Sequence, residues 1–294
     1  MKFSIILPTY NRAEMIQNAI NSVLKQTYKD WELIIIDDGS TDNTKNIVDK
    51  HKKEDQRIKY FFQKNQERSI ARNNGIKQSK NEWICFLDSD DIYHKTHLHE
   101  FNKLINLNGE KKDLYFCGLS HDKYSYDEEQ YDLSHKNNVE FVLLNNFGTP
   151  RACTHRSILL KHQFNEKIRV GEDRELWVRI LRSKNFYFHN KKTFIEIDHK
   201  ERSVNNIENL LENVITTKLI NREKKIARHI KKRILSNSYF SLTKGYLREN
   251  LKFKALISTL KSILTDFSNK QTSHRIYICF NLMMLKAPKE YQNK

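Results

Sequence analysis

Three carboxylates crowd into four residues where an apolar run stops. Trp83, Ile84, Cys85, Phe86 and Leu87 are followed at once by Asp88, Ser89, Asp90 and Asp91. A buried strand with such an end delivers negative charge to the edge of a sheet, where repulsion is relieved by protonation or by a cation. An isolated cluster of this kind is an Asp-rich turn. Here two other apolar runs also end in polar groups, so we read it as a metal site. Residues 3–7 lead into Pro8, Thr9, Tyr10 and Asn11, and residues 31–36 lead into Asp37, Asp38 and Gly39.

Positioning these groups requires strands that end together. After Asn11, the apolar residues Ile16, Ala19, Ile20, Val23 and Leu24 recur at helical spacing, and Asn11 with Glu14 reads as a capping box. The continuous apolar run 31–36 suits a strand covered on both faces. A second helix is expected from about Asp42, a third strand over residues 57–62, and a helix over residues 70–77 before the strand that carries the acids. This alternation predicts a mostly parallel α/β sheet, in which ligands bind outside the carboxyl ends of the strands. Further on, the pattern gives a helix over 97–107, a strand over 114–118 and a polar, tyrosine-rich surface excursion over 121–136. Glu172 and Asp173 open a helix whose apolar face is Leu176, Trp177, Ile180 and Leu181.

Residues 1 to about 200 resemble a family 2 glycosyltransferase with the GT-A fold. The segments 4–11, 36–42, Ala71 to Gly75 and 86–91 fall in that family's order and spacing. The resemblance implies a Rossmann-like central sheet, a nucleotide-diphospho-sugar donor with a UDP-sugar foremost, Mn²⁺ or Mg²⁺, and hexose transfer with inversion to a glycan or lipid-linked saccharide. A metal bridging both phosphates would stabilise the charge that develops on the departing diphosphate. Asp90 is then the expected metal ligand, with Asp88 on the ribose or the metal and Asp91 as the second candidate. Tyr10 can stack on the base, and Asp38 or Asp37 can accept a hydrogen bond from it. Pro8, Thr9, Arg12 and Ser89 complete the expected donor site.

Arg72 and Asn73 match the family's Ala-Arg-Asn segment, in which the arginine helps hold the nucleotide. The chain departs from the family a few residues earlier, where a glycine is usual and Glu67 stands here. The loop 146–156 matches the position that the family brings beneath the transferred sugar, though it also reads as an ordinary connection. The resemblance makes Asp173, with Glu172 as the alternative, the general base that takes a proton from the acceptor hydroxyl. His199 is a further metal candidate and Arg202 a phosphate contact.

The 294 residues contain 38% hydrophobic and 11% aromatic residues, with only three Pro and seven Gly, as expected of a globular protein. Four widely spaced cysteines predict reduced core thiols and a cytoplasmic setting. The start of the chain does not read as a signal peptide, and no apolar run is long enough to span a membrane. The net charge of +16 is unevenly placed: residues 205–294 hold 18 Lys and Arg against 6 Asp and Glu. The expected division is therefore a glycosyltransferase domain over 1–204, with a donor half 1–95 and an acceptor half 96–204, and a basic helical region over 205–294.

In that region Ile207, Leu210, Leu211, Val214 and Ile215 form one apolar stripe. A longer one comprises Phe253, Leu256, Ile257, Leu260, Ile263, Leu264 and Phe267. These helices read as a peripheral contact with the cytoplasmic face of the inner membrane or as a homodimer interface. A nucleic-acid-binding protein is the rival suggested by charge, but no helix-turn-helix, zinc or RRM pattern supports it. A catalytically silent binder of the same fold would be expected to lose its acids, whereas Asp88, Asp90 and Asp173 are all present.

Overall fold

The computed structural model describes residues 1–121, 137–145, 147–198, 206–269 and 271–284. They form two compact units: Met1–Lys167 with Glu172–Asp198, and Ile168–Gly171 with the described part of His199–Lys294.

The first unit is built on β1 (Phe3–Thr9), α1 (Ala13–Leu24), β2 (Trp31–Asp37), α2 (Thr44–Glu54), β3 (Ile58–Phe62), α3 (Arg68–Gln78) and β4 (Trp83–Phe86). There follow β5 (Ile92–Tyr93), α4 (His97–Leu107), β6 (Leu114–Ser120), α5 (Asn138–Leu144), a 3₁₀ turn (Thr149–Arg151), β7 (Ala152–His155), α6 (Arg156–Lys161), α7 (Glu172–Ile180) and β8 (Phe186–Ile195). The eight strands form one sheet in the order β3-β2-β1-β4-β7-β6-β8-β5. The half from β3 to β4 is wholly parallel, while β7 and β5 run antiparallel to their neighbours.

Strands β1 and β2 are almost entirely buried, as their unbroken apolar runs require. Register pairs Thr9 with Asp37, so both chains leave the sheet at the same level. Helix α3 lies close against them because residue 75 is glycine: a Cβ there would come within 2.4 Å of Ile6 Cγ2. This close approach carries Arg72 to the carboxyl edge.

Two local expectations are corrected. Asn11 does not cap α1; it takes a left-handed φ of 49° and its Oδ1 accepts from Thr41 N at 2.8 Å. The start of α1 is satisfied instead by the loop after β2, with Ala13 N donating to Asp42 Oδ2 at 3.0 Å and Arg12 N to Thr44 Oγ1 at 3.1 Å. The segment 146–156 is also not a plain loop, since it contains the 3₁₀ turn and core strand β7. The expected excursion over 122–136 lies outside the described residues.

The second unit contains α8 (Ile207–Ile220), α9 (Arg228–Arg248), α10 (Lys252–Thr265) and α11 (Thr272–Met283). Among its described residues, α9 packs against both α8 and α10, and α10 against α11. No described helix is long and apolar enough to cross a membrane.

Candidate active site

The carboxyl edge of β1 and β2 separates two neighbouring aspartates into different tasks. Asp37 is fully buried and committed on both oxygens, accepting from Ser40 N at 2.8 Å and from the Tyr60 hydroxyl at 2.7 Å. Burial, followed by the hydrogen bond to Asp37, pushes the Tyr60 phenol above its ordinary range. Asp38 is held by Gln63 Nε2 at 2.7 Å and Gln66 N at 2.9 Å, both on Oδ1. This arrangement aims the group while using only one of its oxygens. Tyr10 stands 49% exposed beside them, with a ring face available for stacking. The turn after Asp38 depends on Gly39, whose φ is +89° and whose added Cβ would meet Asn65 N at 2.9 Å.

Glu67 occupies the place at which the resemblance expects glycine. Its φ of 75° and ψ of 159° fall in a region that is almost reserved for glycine. The backbone therefore retains the glycine-like path while the residue does not. The exposed Glu67 side chain lies at the start of α3.

The acidic cluster also divides. Asp91 is buried and its Oδ1 accepts from Ile197 N at 2.9 Å, tying down the chain that leaves β8. Ser89 is buried, whereas Asp88 and Asp90 are half-buried. No three His, Cys, Asp or Glu groups converge as a self-contained metal cage among the described residues. The half-buried Asp88 and Asp90 nevertheless fit a Mg²⁺- or Mn²⁺-type ion, which takes one or two carboxylates and completes its shell with phosphate and water. Two buried polar atoms at this edge, Thr9 Oγ1 and Arg72 Nε, have no hydrogen-bond partner among the described residues. Groups left in this state are ones that a polar ligand would satisfy.

Arg72 links the two sides of the site. Its guanidinium is buried, donating to Asp88 Oδ1 at 2.9 Å and to Glu172 Oε1 at 2.7 Å. Burial alone would lower its pKa, but the two carboxylates raise it above the ordinary value. Phe164 supports this bridge from below: the guanidinium lies 5.5 Å from its ring centroid, and the ring meets Phe86 and Trp177 edge-on. Asn73 clasps the same residue, donating to Phe164 O at 3.0 Å and accepting from Phe164 N at 2.9 Å. Helix α7 is fixed in turn by Trp177 Nε1, which donates to Phe147 O at 2.9 Å.

Glu172 is thus occupied by Arg72, and the next residue is left with a different environment. Asp173 is half-buried with its Oδ1 on Arg174 N at 2.7 Å, and its Oδ2 lies 3.8 Å from where a Cβ on Gly148 would stand. Burial, then the charge of Glu172, pushes its pKa up to about 6. A carboxylate with that value accepts a proton more readily than an ordinary aspartate and remains mostly ionised near neutrality.

The structure therefore places Pro8, Thr9, Tyr10, Asp38, Arg72, Asp88, Ser89 and Asp90 at one sheet edge, with Glu172 joined to them through Arg72. Asp91 points into a structural contact, and Arg12 sits half-buried at the turn into α1. His199 and Arg202 lie outside the described residues. The sequence reading missed Gln63 and Phe164, which belong to no motif, and the role of Tyr60, which it placed only as part of a strand.

Residues 4–166 match the family model described as Glycosyl transferase family 2. Among curated proteins, the chain is 33% identical over 204 residues to the GalNAc(5)-diNAcBac-PP-undecaprenol beta-1,3-glucosyltransferase of Campylobacter jejuni, covering 64% of this chain and 62% of that protein. It is 37% identical over 190 residues to an uncharacterized glycosyltransferase of Rickettsia felis, covering 63% of this chain. The matched stretch spans only 31% of the Rickettsia felis protein.

Two solved structures share the fold. TarS 1–349 of S. aureus, in complex with UDP-GlcNAc, superposes with a TM-score of 0.66 at 19% identity, covering 90% of this chain and 81% of that one. The mannosyltransferase PcManGT of Pyrobaculum calidifontis, in complex with GDP-Man and Mn²⁺, gives 0.64 at 14% identity, covering 99% and 82%.

Proposed function

The chain belongs to glycosyl transferase family 2 and has the GT-A fold, and on that premise we propose that it moves a hexose from a nucleotide-diphospho-sugar, foremost a UDP-sugar, to a hydroxyl of a glycan or lipid-linked saccharide, inverting the anomeric carbon. The observation that carries this reading is the Arg72 bridge. One buried cation fixes Asp88 at the carboxyl edge of the sheet and Glu172 at the head of α7, next to Asp173. Direct displacement needs a leaving group held on one side and a base on the other, and this bridge is suited to keeping those two sides in register.

In this reading Tyr10 stacks on the base, and Asp38, aimed by Gln63 and Gln66, accepts a hydrogen bond from it. Asp88 and Asp90 would hold a divalent cation, Mn²⁺ or Mg²⁺, which supplies positive charge to the diphosphate as its bond to the sugar breaks. Arg72 offsets part of the negative charge of Asp88 on the same side. Asp173 takes the proton from the attacking hydroxyl, its raised pKa making it a better acceptor at neutral pH. Glu172 orients Arg72 through that pair.

The test is nucleotide release from a panel of UDP-, GDP- and dTDP-sugars, with undecaprenyl-linked and free saccharides as acceptors. Metal-dependent release from one donor, lost in Asp173→Asn but with donor binding retained, is the expected result. Binding of no donor at all would overturn the reading in favour of a silent binder of the same fold.

A further inference from the structure

Helix α10 is packed inside out. Its stripe of large apolar residues Phe253, Ile257, Leu260 and Leu264 is spaced four, three and four residues apart and faces outward, with Phe253 74% and Leu264 82% exposed. The opposite, buried face holds Ser258, Thr259 and Ser262 between Ala255 and Ile263, and its serines hydrogen-bond across to α9. Ser236 Oγ donates to Ser262 O at 2.7 Å, Ser262 Oγ to Ser236 O at 2.8 Å, and Ser258 Oγ to Tyr239 O at 2.8 Å. Helices that bury apolar area against one another in water do the reverse. Small-residue and hydroxyl contacts inside, with large apolar groups outside, are the arrangement used where the surroundings are themselves apolar.

Helix α11 adds exposed apolar residues over an ordinary apolar inner face. Ile278 and Leu282 pack inward against residues of α9 and α10, while Phe280 and Met283 face out, Phe280 being 64% exposed. Lys254 and Lys261, both exposed, immediately follow Phe253 and Leu260 in sequence. Residues 205–294 as a whole carry 18 Lys and Arg against 6 Asp and Glu, so this region is strongly basic. A second copy of the chain would bring like charge against like charge, whereas an anionic lipid surface complements it.

We propose that the outer face of α10 and α11 lies in the interface of an anionic lipid bilayer, apolar side chains among the acyl chains and lysines at the headgroups. Neither helix is long and apolar enough to cross, so the mode is in-plane. This goes beyond the transferase reading and does not depend on it, because lipid binding is measured without any sugar substrate.

The experiment is flotation of the full chain with phosphatidylcholine vesicles and with vesicles containing about 30% phosphatidylglycerol, at about 0.1 M salt. The variants are Phe253→Glu with Leu264→Glu, whose helix content and melting temperature are compared with wild type, and Leu264→Trp as a fluorescent reporter. Wild type is expected to float with the anionic vesicles only. The double variant should lose at least about tenfold in binding with its fold intact, and the reporter's emission should shift to the blue on binding.

Absence of flotation would overturn the proposal. Undiminished binding of the double variant would overturn it too, reducing the interaction to adsorption by lysines. A lipid-independent dimer seen by light scattering and broken by Leu264→Glu would assign the face to a second copy instead.

Discussion

The raised pKa of Asp173 ties its proposed role to a cost in stability that can be measured without a substrate. An aspartate whose pKa moves from 3.8 to about 6 in the folded chain is destabilised in its ionised form by roughly two pH units. At about 1.4 kcal/mol per unit this is near 3 kcal/mol, and about half that after allowance for partial exposure to solvent. The sign follows from linkage. Below about pH 4 the group is protonated in both folded and unfolded chains and contributes nothing; above about pH 6 it is ionised in both and the whole cost is present.

Asp173→Asn removes that charge, keeps an oxygen for Arg174 N, and leaves Glu172 beside Arg174. The variant should therefore melt about 3–6 °C higher than wild type at pH 8, with the difference shrinking toward zero near pH 4. Transfer should meanwhile fall by about 10²–10⁴. Calorimetric melting of both proteins from pH 4 to 8 is the assay. A variant equally or less stable at pH 8, or a difference that does not change with pH, would refute the reasoning, because it would mean that the carboxylate is stabilised where it sits.

The other predictions concern the frame around the site. Glu67→Gly relieves a glycine-type backbone conformation and should stabilise the chain by about 1 kcal/mol net of glycine's greater freedom when unfolded, seen as a shift in the urea midpoint. Gly75→Ala forces a Cβ to within 2.4 Å of Ile6 and should destabilise by about 1–3 kcal/mol in the same assay. Arg72→Met leaves Asp88 and Glu172 without their shared cation and should cost about 3–5 kcal/mol, with loss of soluble folded protein at 37 °C as the readout. Asp37→Asn should lower stability through the buried Tyr60 and Ser40 contacts, whereas Asp38→Asn should leave melting nearly unchanged and weaken nucleotide binding in calorimetric titration.

What could be read in advance was whatever repeats along the chain. The apolar runs of β1, β2 and β4, the helices after them and the acids at their ends carry local signals, and the parallel half of the sheet follows from their alternation. The start of α7 at Glu172 was legible in the same way. The second half of the sheet was harder, because β7 has only four residues and β8 is half-buried along most of its length, so neither shows a clean period.

The contacts that distinguish neighbouring acids were not legible at all. Asp37 and Asp38, or Asp88 and Asp91, are told apart chiefly by partners brought from elsewhere along the chain: Tyr60, Gln63, Arg72 and Ile197. Glu67 is instructive in the other direction, since the departure from glycine was visible but its backbone consequence was not. In α10 the apolar stripe was plain in the sequence, but the structure splits it: Ile263 and Leu256 turn to the buried side while Phe253, Ile257, Leu260 and Leu264 are exposed.

The most direct measurement is a thermal-shift titration of wild type and Asp90→Ala with UDP-, GDP- and dTDP-sugars, with and without Mn²⁺ or Mg²⁺. At ligand concentrations about a hundredfold above Kd, a donor should stabilise wild type by about 2.7 kcal/mol. The account predicts such a shift for one class of nucleotide sugar, dependent on the metal and absent from Asp90→Ala. An equal shift in both proteins, or none with any donor and metal, would contradict a nucleotide-sugar site at this edge of the sheet.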